Sequence, residues 1–160
     1  MKSEKSRKKD NTPGYCDPRV RLEMMIKNLK EHEFRLTPQR LAVLKILAKS
    51  EGHPTVEDIF KKLKPDFPTT SIATIYKTVN LLKEIGEVVE LDFSEISNRY
   101  DGIRPYPHPH LICTQCKRIV DLDMATIKDL PKELAKKTGY EIVNYRLDFF
   151  AVCPRCQSDN

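Results

Sequence analysis

The chain has 160 residues, which is enough for one domain or for two small domains, and 39% of them are hydrophobic. No stretch approaches the roughly 18 consecutive apolar residues that indicate a membrane-spanning helix, and the charged first ten residues lack the apolar run of a signal peptide. We therefore expect a cytoplasmic globular protein with no membrane partner.

The excess of positive charge lies in the first half of the chain. The formal net charge is +5 at pH 7. Residues 1–90 contain 18 Lys and Arg against 13 Asp and Glu, whereas residues 91–160 contain 10 of each. This asymmetry fits a nucleic-acid-facing N-terminal half, although the charge alone is explained more simply by a solvated basic surface.

The chain is expected to begin with a disordered basic tail over residues 1–18, which ends in the turn-rich segment PGYCDP. A first helix is predicted over residues 19–32. Val20, Met24 and Leu29 are expected on its apolar side.

Two further helices have clear start signals. Thr37 is suited to cap a helix in which Pro38 takes the first position, and this helix is expected to stop before Gly52. Thr55 is suited to cap a short third helix, because acidic residues fill the first turn that follows it.

A fourth helix over residues 70–84 has the most regular pattern, and Gly86 is suited to end it. Four residues form its predicted buried stripe: Ile72, Ile75, Val79 and Leu82. Four residues with hydrogen-bond donors lie off that stripe: Ser71, Thr74, Lys77 and Thr78.

The pattern then changes to that of short strands. Residues 89–93 alternate between apolar and acidic side chains, and the segment RYD begins a return strand. Helices followed by a two-stranded ribbon indicate a winged helix-turn-helix domain, here residues 19–101. Such a domain places the helix over residues 70–84 in the major groove of DNA.

The remaining residues predict a proline-rich hinge over residues 102–107 and a small α/β unit over residues 108–160. Its elements are the strands HLIC and RIVDLD, a helix over residues 124–138 and a last strand over residues 141–153. The predicted fold class is therefore α+β, with an N-terminal winged helix-turn-helix domain and a C-terminal α/β domain. A unit of under about 60 residues needs a covalent or metal staple.

Two CxxC pairs provide such a staple: Cys113 with Cys116, and Cys153 with Cys156. Each pair lies at the end of a predicted strand, and two such pairs form the usual closed structural zinc site. A rubredoxin-like iron centre uses the same ligands, and a single CxxC can be redox-active. We favour structural zinc, because the segment between the pairs reads as a folded unit. Cys16 lies outside this set and is interpreted as a residue of the tail.

A second candidate metal site combines imidazoles and carboxylates. Its residues are His53, Asp101, His108, His110 and Asp121. His108 and His110 alternate on a predicted strand and so share a face, with Asp121 on the partner strand. Neutral imidazoles and two carboxylates suit Fe(II) or Mn(II), although each residue alone is more often a cap, a turn residue or a surface group.

These five residues come from both halves of the chain. One ion bound by all of them would fix the angle between the halves. In a dimer, that angle sets the spacing of the two DNA-reading helices, so occupancy of the site would control DNA affinity.

The sequence resembles the ferric-uptake regulator (Fur) family over residues 19–156. The matching runs are LTPQRLAVLKIL, HPTVEDIF, SIATIYKTVNLL, NRYD, HPHLICTQC, RIVDLD and CPRC. It is most similar to the peroxide-sensing PerR branch, since Asp121 stands where iron-sensing members typically carry Glu.

The resemblance implies a homodimeric repressor of double-stranded DNA rather than an enzyme, with the C-terminal domain as the dimerisation domain. It implies structural Zn²⁺ on the four paired cysteines and regulatory Fe²⁺ or Mn²⁺ on the five nitrogen and oxygen ligands. In that branch, peroxide reacts with bound Fe(II), and a ligand histidine is oxidised, here His53 or His108. Loss of that ligand then releases the metal and the DNA.

The resemblance also implies a set of DNA contacts. Tyr76 and Lys77 would read the major groove, and Arg35 would enter the minor groove. Arg40, Ser71 and Thr74 are expected near phosphates or bases. For Tyr76 the alternative is partial packing into the core beside Ile75.

Two other functions stay open at this point. One is an iron- or zinc-sensing repressor of the same family. The other is a rubredoxin-like or dithiol redox protein, for which the helix-turn-helix half would have no purpose.

Overall fold

The computed structural model describes residues 17–93, 97–123, 127 and 129–158. The N-terminal unit consists of α1 (Pro18–Glu31), α2 (Pro38–Lys49), α3 (Val56–Leu63), α4 (Ile72–Glu84), β1 (Val89–Leu91) and β2 (Arg99–Asp101). The C-terminal unit consists of β3 (His110–Cys113), β4 (Ile119–Asp121), α5 (Leu130–Thr138), β5 (Asp148–Ala151) and α6 (Pro154–Ser158). This order confirms the predicted α+β class, with a winged helix-turn-helix followed by an α/β unit.

The predicted helix starts are formed by side-chain caps. The hydroxyl of Thr37 accepts a hydrogen bond from the backbone N–H of Arg40, and Thr55 and Asp58 form a reciprocal capping box. The hydroxyl of Ser71 accepts from the N–H of Thr74. These contacts satisfy N–H groups that have no partner within a helix.

The predicted disordered tail, residues 1–18, falls outside the described residues up to residue 16. Its last two residues belong to the first helix: Asp17 caps α1, and Pro18 is its first residue. Among the described residues, no helix has the length and apolarity needed to cross a membrane.

Helices α1 to α4 pack around one core, but the predicted apolar side of α1 is partly wrong. Leu29 is buried as expected, whereas Val20 and Met24 are 50% and 53% exposed. The buried line instead runs through Arg21, Met25 and Leu29. A charged residue occupies the inner face because its guanidinium finds partners there, which hydrophobicity alone does not indicate.

On α4 the predicted stripe is correct except at its N-terminal end. Ile75, Val79 and Leu82 are fully buried, whereas Ile72 in the first turn is 38% exposed. Thr78, predicted off the stripe, is buried because its hydroxyl donates to the carbonyl of Thr74 within the helix. The methyl group of a threonine can therefore face the core at no hydrogen-bonding cost.

The C-terminal sheet has the strand order β4-β3-β5, with β3 antiparallel to β4 and parallel to β5. The predicted last strand over residues 141–153 is too long: only Asp148–Ala151 pairs, because β3 offers just four partner residues. For the helix predicted over residues 124–138, the structure gives Leu130–Thr138, and the expected start at residue 124 lies outside the described residues.

A small apolar cluster joins the two units. Leu91 of β1 packs with Ile112 of β3 and Ile119 of β4, and Val89 and Phe93 lie against them. Strand β1 of the wing, which consists of β1 and β2, therefore packs directly on the C-terminal sheet.

A buried polar network fastens α1 to the rest of the N-terminal unit. The guanidinium of Arg21 donates to the Glu87 carboxylate at 2.5 Å, to the Glu87 carbonyl at 2.7 Å and to the Gly102 carbonyl at 2.7 Å. The amide of Asn28 donates to the other carboxylate oxygen of Glu87 at 2.6 Å. Gly102 directly follows Asp101 and lies so close to α2 that an added Cβ would be 2.8 Å from the Cβ of Leu47.

We expect Arg21→Met to lower the free energy of unfolding by about 3–5 kcal/mol, because it leaves the Glu87 carboxylate buried without its cation. Chemical denaturation of the protein with zinc on the cysteines and no other metal measures this change. The control is Lys27→Met, which removes an exposed ion pair with Glu31 and should have little effect. Equal effects of the two substitutions would show that the buried network contributes no more to the free energy of unfolding than an exposed ion pair does.

Candidate metal centres

The four paired cysteines meet at one end of the C-terminal sheet. Cys113 ends β3 and Cys116 lies in the following turn, whereas Cys153 follows β5 and Cys156 lies in α6. Their four sulfur atoms all lie within 4.8 Å of one another. The backbone N–H of Cys153 donates to the sulfur of Cys113 at 3.3 Å, and this hydrogen bond connects the two CxxC pairs.

The electrostatics of this cluster favour thiolates at Cys113 and Cys153. The N–H groups of Cys153 and Cys116 lower the pKa of Cys113 to about 6. The N–H of Cys156 lowers the pKa of Cys153, while the neighbouring sulfurs of Cys153, Cys116 and Cys113 raise the pKa of Cys156 to about 12. Several thiolates held this closely need a cation, and the donor set fits Zn²⁺ in a closed tetrahedral site.

The second set of predicted ligands also converges, although its members come from five different places. His53 lies between α2 and α3, Asp101 ends β2, His108 precedes β3, His110 begins β3 and Asp121 ends β4. One ligand atom of each lies within 4.8 Å of all the others. His108 lies before the strand rather than on it as predicted, yet its imidazole still reaches the same point as that of His110.

The facing atoms are close to one another. His53 Nε2 lies 2.7 Å from Asp121 Oδ1, and His108 Nε2 lies 3.3 Å from Asp101 Oδ2 and 3.5 Å from Asp121 Oδ1. His110 Nε2 lies 3.9 Å from Asp121 Oδ1. All these atoms are buried, and among the described residues none has a hydrogen bond of proper geometry.

Buried polar atoms without partners are costly, and they are rare in native proteins. Five of them directed at one point fit a divalent cation that would satisfy all of them. Three neutral imidazoles and two carboxylates are the donor types that Fe²⁺ and Mn²⁺ accept. The donor set therefore fits the expected regulatory metal.

Contacts behind the cluster orient its ligands. His108 Nδ1 lies 2.9 Å from the Tyr106 carbonyl, and His110 Nδ1 lies 3.3 Å from Asp148 Oδ1. Asp101 Oδ1 accepts two backbone N–H groups, those of residues 103 and 104, which leaves Oδ2 for the cluster. Such outer contacts fix which ring nitrogen of a histidine is available to a metal.

The ionisation of the cluster follows from burial and from mixed charges. Burial alone would lower the pKa of His108, but the carboxylates of Asp121 and Asp101 raise it overall. The pKa of His110 is lowered by burial and by the imidazoles of His108 and His53. Burial would raise the pKa of Asp121, but its contacts with His108 and His53 lower it overall. A neutral His110 beside an ionised Asp121 is the state that a cation requires.

The backbone at His53 is in the left-handed region, with φ of 56°, directly after Gly52 with φ of 86°. A non-glycine residue rarely takes this conformation without support from neighbours. The Arg99 guanidinium donates to the His53 carbonyl at 3.2 Å, and the N–H of Tyr100 donates to the Pro54 carbonyl at 3.0 Å. Strand β2 therefore holds His53 over the cluster.

Sequence reasoning missed Arg99 and Asp148, since neither is itself in the cluster. Asp148 had one signal, an acidic residue within an otherwise apolar strand. Arg99 lies in the matching run NRYD, but nothing in the sequence indicates its contact with the unusual backbone at His53.

The residues predicted to contact DNA fall into two groups on the N-terminal unit. On α4 and its cap lie Ser71, Thr74, Tyr76 and Lys77; before and within α2 lie Arg35 and Arg40. Tyr76 is 42% exposed, so the alternative of core packing is disfavoured, and its hydroxyl donates to Glu57 of α3 at 3.2 Å. Arg40 donates to the Arg35 carbonyl at 2.6 Å, which orders the segment before α2.

Comparisons with known proteins agree with this architecture. The profile of the ferric uptake regulator family matches residues 31–150. The peroxide-responsive repressor PerR of Staphylococcus aureus (strain Mu50) is 38% identical over 136 residues, which cover 85% of this chain and 91% of that protein.

Two solved structures are similar as well. The ferric uptake regulator of Francisella tularensis with iron has a TM-score of 0.67 and 30% identity, over 78% of this chain and 95% of that chain. The Helicobacter pylori ferric uptake regulator has a TM-score of 0.75 over 91% of this chain and 97% of that chain, and at 24% identity it supports the fold alone. Since the profile spans more than half of the chain and the PerR match covers most of both proteins, this chain belongs to the ferric uptake regulator family.

Proposed function

We propose that the chain is a metal-dependent, peroxide-sensing transcriptional repressor that binds double-stranded DNA as a homodimer. The observation that carries this proposal is the His53–Asp121 cluster, that is, His53, Asp101, His108, His110 and Asp121. Its buried ligand atoms come from both units and lack hydrogen-bond partners among the described residues. Such a repressor acts where DNA is, so the cytoplasm is its proposed location.

The two candidate metal centres have different tasks in this proposal. The four-cysteine cluster holds Zn²⁺ and stabilises the C-terminal unit, because a closed thiolate site leaves no position for a reacting molecule. The His53–Asp121 cluster holds Fe²⁺ or Mn²⁺. Its residues connect the loop before α3 and the end of β2 to strands β3 and β4, so the cluster ties the DNA-binding unit to the C-terminal unit.

A homodimer is supported by the exposed apolar surface of the C-terminal unit. The large hydrophobic residues exposed there are Leu111, Val120, Leu130, Leu134, Tyr140, Ile142, Val143, Phe149 and Phe150. Phe150 is 65% exposed and Val143 is 89% exposed. An apolar surface of this extent marks an interface, and a second copy of the C-terminal unit can cover it. Residues 108–160 are then the dimerisation domain, and residues 102–107 the connection to the DNA-binding domain.

DNA contacts are proposed for the exposed side of α4 and the segment before α2. Lys77 is exposed beside Tyr76, and the hydroxyls of Ser71 and Thr74 lie 3.0 Å apart at the start of the helix. Arg35 is exposed in the ordered segment that Arg40 supports. This is the side that a helix-turn-helix presents to the major groove and the phosphate backbone.

Peroxide sensing is the finer part of the proposal. It is supported by the 38% identity to the PerR of S. aureus and by Asp121 at the position where an aspartate separates that branch from iron-sensing members. His53, His108 and His110 would hold Fe²⁺ beside their own oxidisable rings, and the ion would supply the electrons that reduce peroxide to water as one ring gains an oxygen atom. His53 and His108 are the proposed oxidation sites. Loss of either imidazole removes a ligand that faces a carboxylate of the other unit, since His53 faces Asp121 and His108 faces Asp101.

The metal dependence predicts that the zinc-loaded protein binds DNA about tenfold or more tightly after Mn²⁺ is added, since occupancy favours one arrangement of the units. The probe is a duplex selected from a random library by the Mn²⁺-loaded protein, and fluorescence anisotropy measures its affinity. Asp101→Asn should remove most of the Mn²⁺ effect, whereas Asp66→Asn on the loop after α3 should not. Equal DNA affinity with and without Mn²⁺ would contradict the proposal.

If α4 contacts base edges in the major groove, Lys77→Gln should weaken binding to the selected duplex. We expect its affinity for the selected duplex to fall by about 1–3 kcal/mol, because a donor to base edges is lost. Lys136→Gln on α5 removes the same charge from the C-terminal unit and serves as the matched control. The same small loss in both variants would remove α4 from the proposed interface.

The proposed peroxide sensing predicts a histidine oxidation that depends on which metal is bound. Treatment of the Fe²⁺-loaded protein with peroxide should add oxygen to His53 or His108 and release the duplex. The Mn²⁺-loaded protein should keep both histidines intact and stay bound to the duplex. Tandem mass spectrometry locates the added oxygen, and His32 at the end of α1 is the internal control. If the Fe²⁺-loaded protein retains intact histidines and stays on DNA, the chain is an iron- or zinc-sensing repressor. A rubredoxin-like protein would show redox-active iron on the cysteines and no selected duplex.

A further inference from the structure

A continuous line of contacts connects the end of strand β1 in the wing to one imidazole of the His53–Asp121 cluster. The Arg146 guanidinium donates to Asp148 Oδ2 at 2.5 Å and to the Asp92 carbonyl at 3.1 Å, and it lies 5.3 Å above the Phe93 ring. The other oxygen of Asp148 lies 3.3 Å from His110 Nδ1.

We propose that Arg146 and Asp148 are positioning residues that fix the ring of His110 and couple it mechanically to the strand end Asp92–Phe93. The wing of the DNA-binding unit then senses the His53–Asp121 cluster through a second route, separate from His53 and Asp101. This inference rests on the proposed metal-dependent function, which it extends to residues outside the cluster.

Asp148 is placed to decide which nitrogen of His110 carries the proton. Its backbone pairs with His110 in the register of β3 and β5, so the carboxylate and the ring are held side by side. A carboxylate accepts hydrogen bonds and cannot donate them, so Nδ1 of a neutral His110 must carry the hydrogen. The lone pair of Nε2 is then directed into the cluster, where it has no hydrogen-bond partner among the described residues.

Arg146 is placed to hold Asp148 and the wing at once. The side chain of Asp148 is 11% exposed, whereas that of Arg146 is 39% exposed, so the guanidinium covers the carboxylate from the solvent side. Its Nε donates to the carboxylate, one terminal nitrogen donates to the Asp92 carbonyl, and the central carbon of the guanidinium lies over the Phe93 ring. Lysine keeps the charge but lacks the planar fork, so it cannot make all three contacts.

The strand end that Arg146 contacts, residues 92 and 93, is packed against the C-terminal sheet. Phe93 also packs against the apolar cluster of Leu91, Ile112 and Ile119, which joins β1 to β3 and β4. A change in the position of Arg146 therefore acts on a packed element of the wing, and a shift of β1 acts back on Asp148 and His110.

The first test concerns the His110 ring in the full-length protein, with zinc on the cysteines and no other metal. Long-range ¹H–¹⁵N spectra of the imidazoles resolve four histidines at most, and the His110 signals are assigned by their loss in His110→Gln. We expect the Nδ1–H form in the unmodified protein and a mixture of tautomers in Asp148→Asn. The Mn²⁺ affinity of that variant should fall by about 10–100-fold.

The second test concerns the coupling to the wing. At saturating Mn²⁺, hydrogen exchange measured by mass spectrometry should slow in peptides that span residues 89–93 of the unmodified protein. In Arg146→Lys this protection should be lost although Mn²⁺ still binds. Arg19→Lys on α1 makes the same exchange outside the line of contacts and should keep the protection.

Two outcomes would overturn the proposal. One is an Asp148→Asn variant that keeps the Nδ1–H form of His110 with unchanged Mn²⁺ affinity. The other is an Arg146→Lys variant whose wing is protected by Mn²⁺ as in the unmodified protein. If the unmodified protein binds no Mn²⁺ at all, the proposed function fails, whereas the tautomer measurement, made without Mn²⁺, still decides the role of Asp148.

Discussion

The constraint on which this structure depends is that buried polar atoms need partners. Five side chains of the His53–Asp121 cluster bring their ligand atoms within 4.8 Å of one another, in a place where other parts of the described chain offer them no hydrogen bond. A fold selected for stability alone would fill such a place with apolar side chains. The arrangement fits a protein whose two units are held together by a reversibly bound metal ion.

The two units are nevertheless in contact without that ion. Leu91, Ile112 and Ile119 pack between the wing and the C-terminal sheet, and Arg146 reaches the carbonyl of Asp92 across the same junction. The junction is therefore a small apolar contact beside a polar one. A contact of this size leaves the relative orientation of the units adjustable by the energy of a few coordinate bonds, which suits a switch better than either a rigid core or a free linker.

Much of this architecture could be predicted from sequence because its signals are local. Thr37, Thr55 and Ser71 cap their helices through contacts within one turn, and the two CxxC pairs carry their meaning in their spacing. The residue set of the His53–Asp121 cluster was found through resemblance and ligand chemistry, and the convergence of its ligand atoms appears only in three dimensions. Sequence could not show that Arg21 faces inward, since its partners Glu87 and Gly102 are distant along the chain. The length of β5 likewise depends on the four residues that β3 offers, and not on the apolar pattern of residues 141–153.

The two metal centres share the same pair of strands. His110 and Asp148 face each other at one end of β3 and β5, and Cys113 is paired with Ala151 at the other, next to Cys153. A slip of one residue between these strands would separate Asp148 from His110, and it would also move Cys113 away from Cys153, whose N–H donates to its sulfur. One strand register therefore serves both centres: a cation that draws the four cysteines together also favours the pairing that keeps Asp148 beside His110.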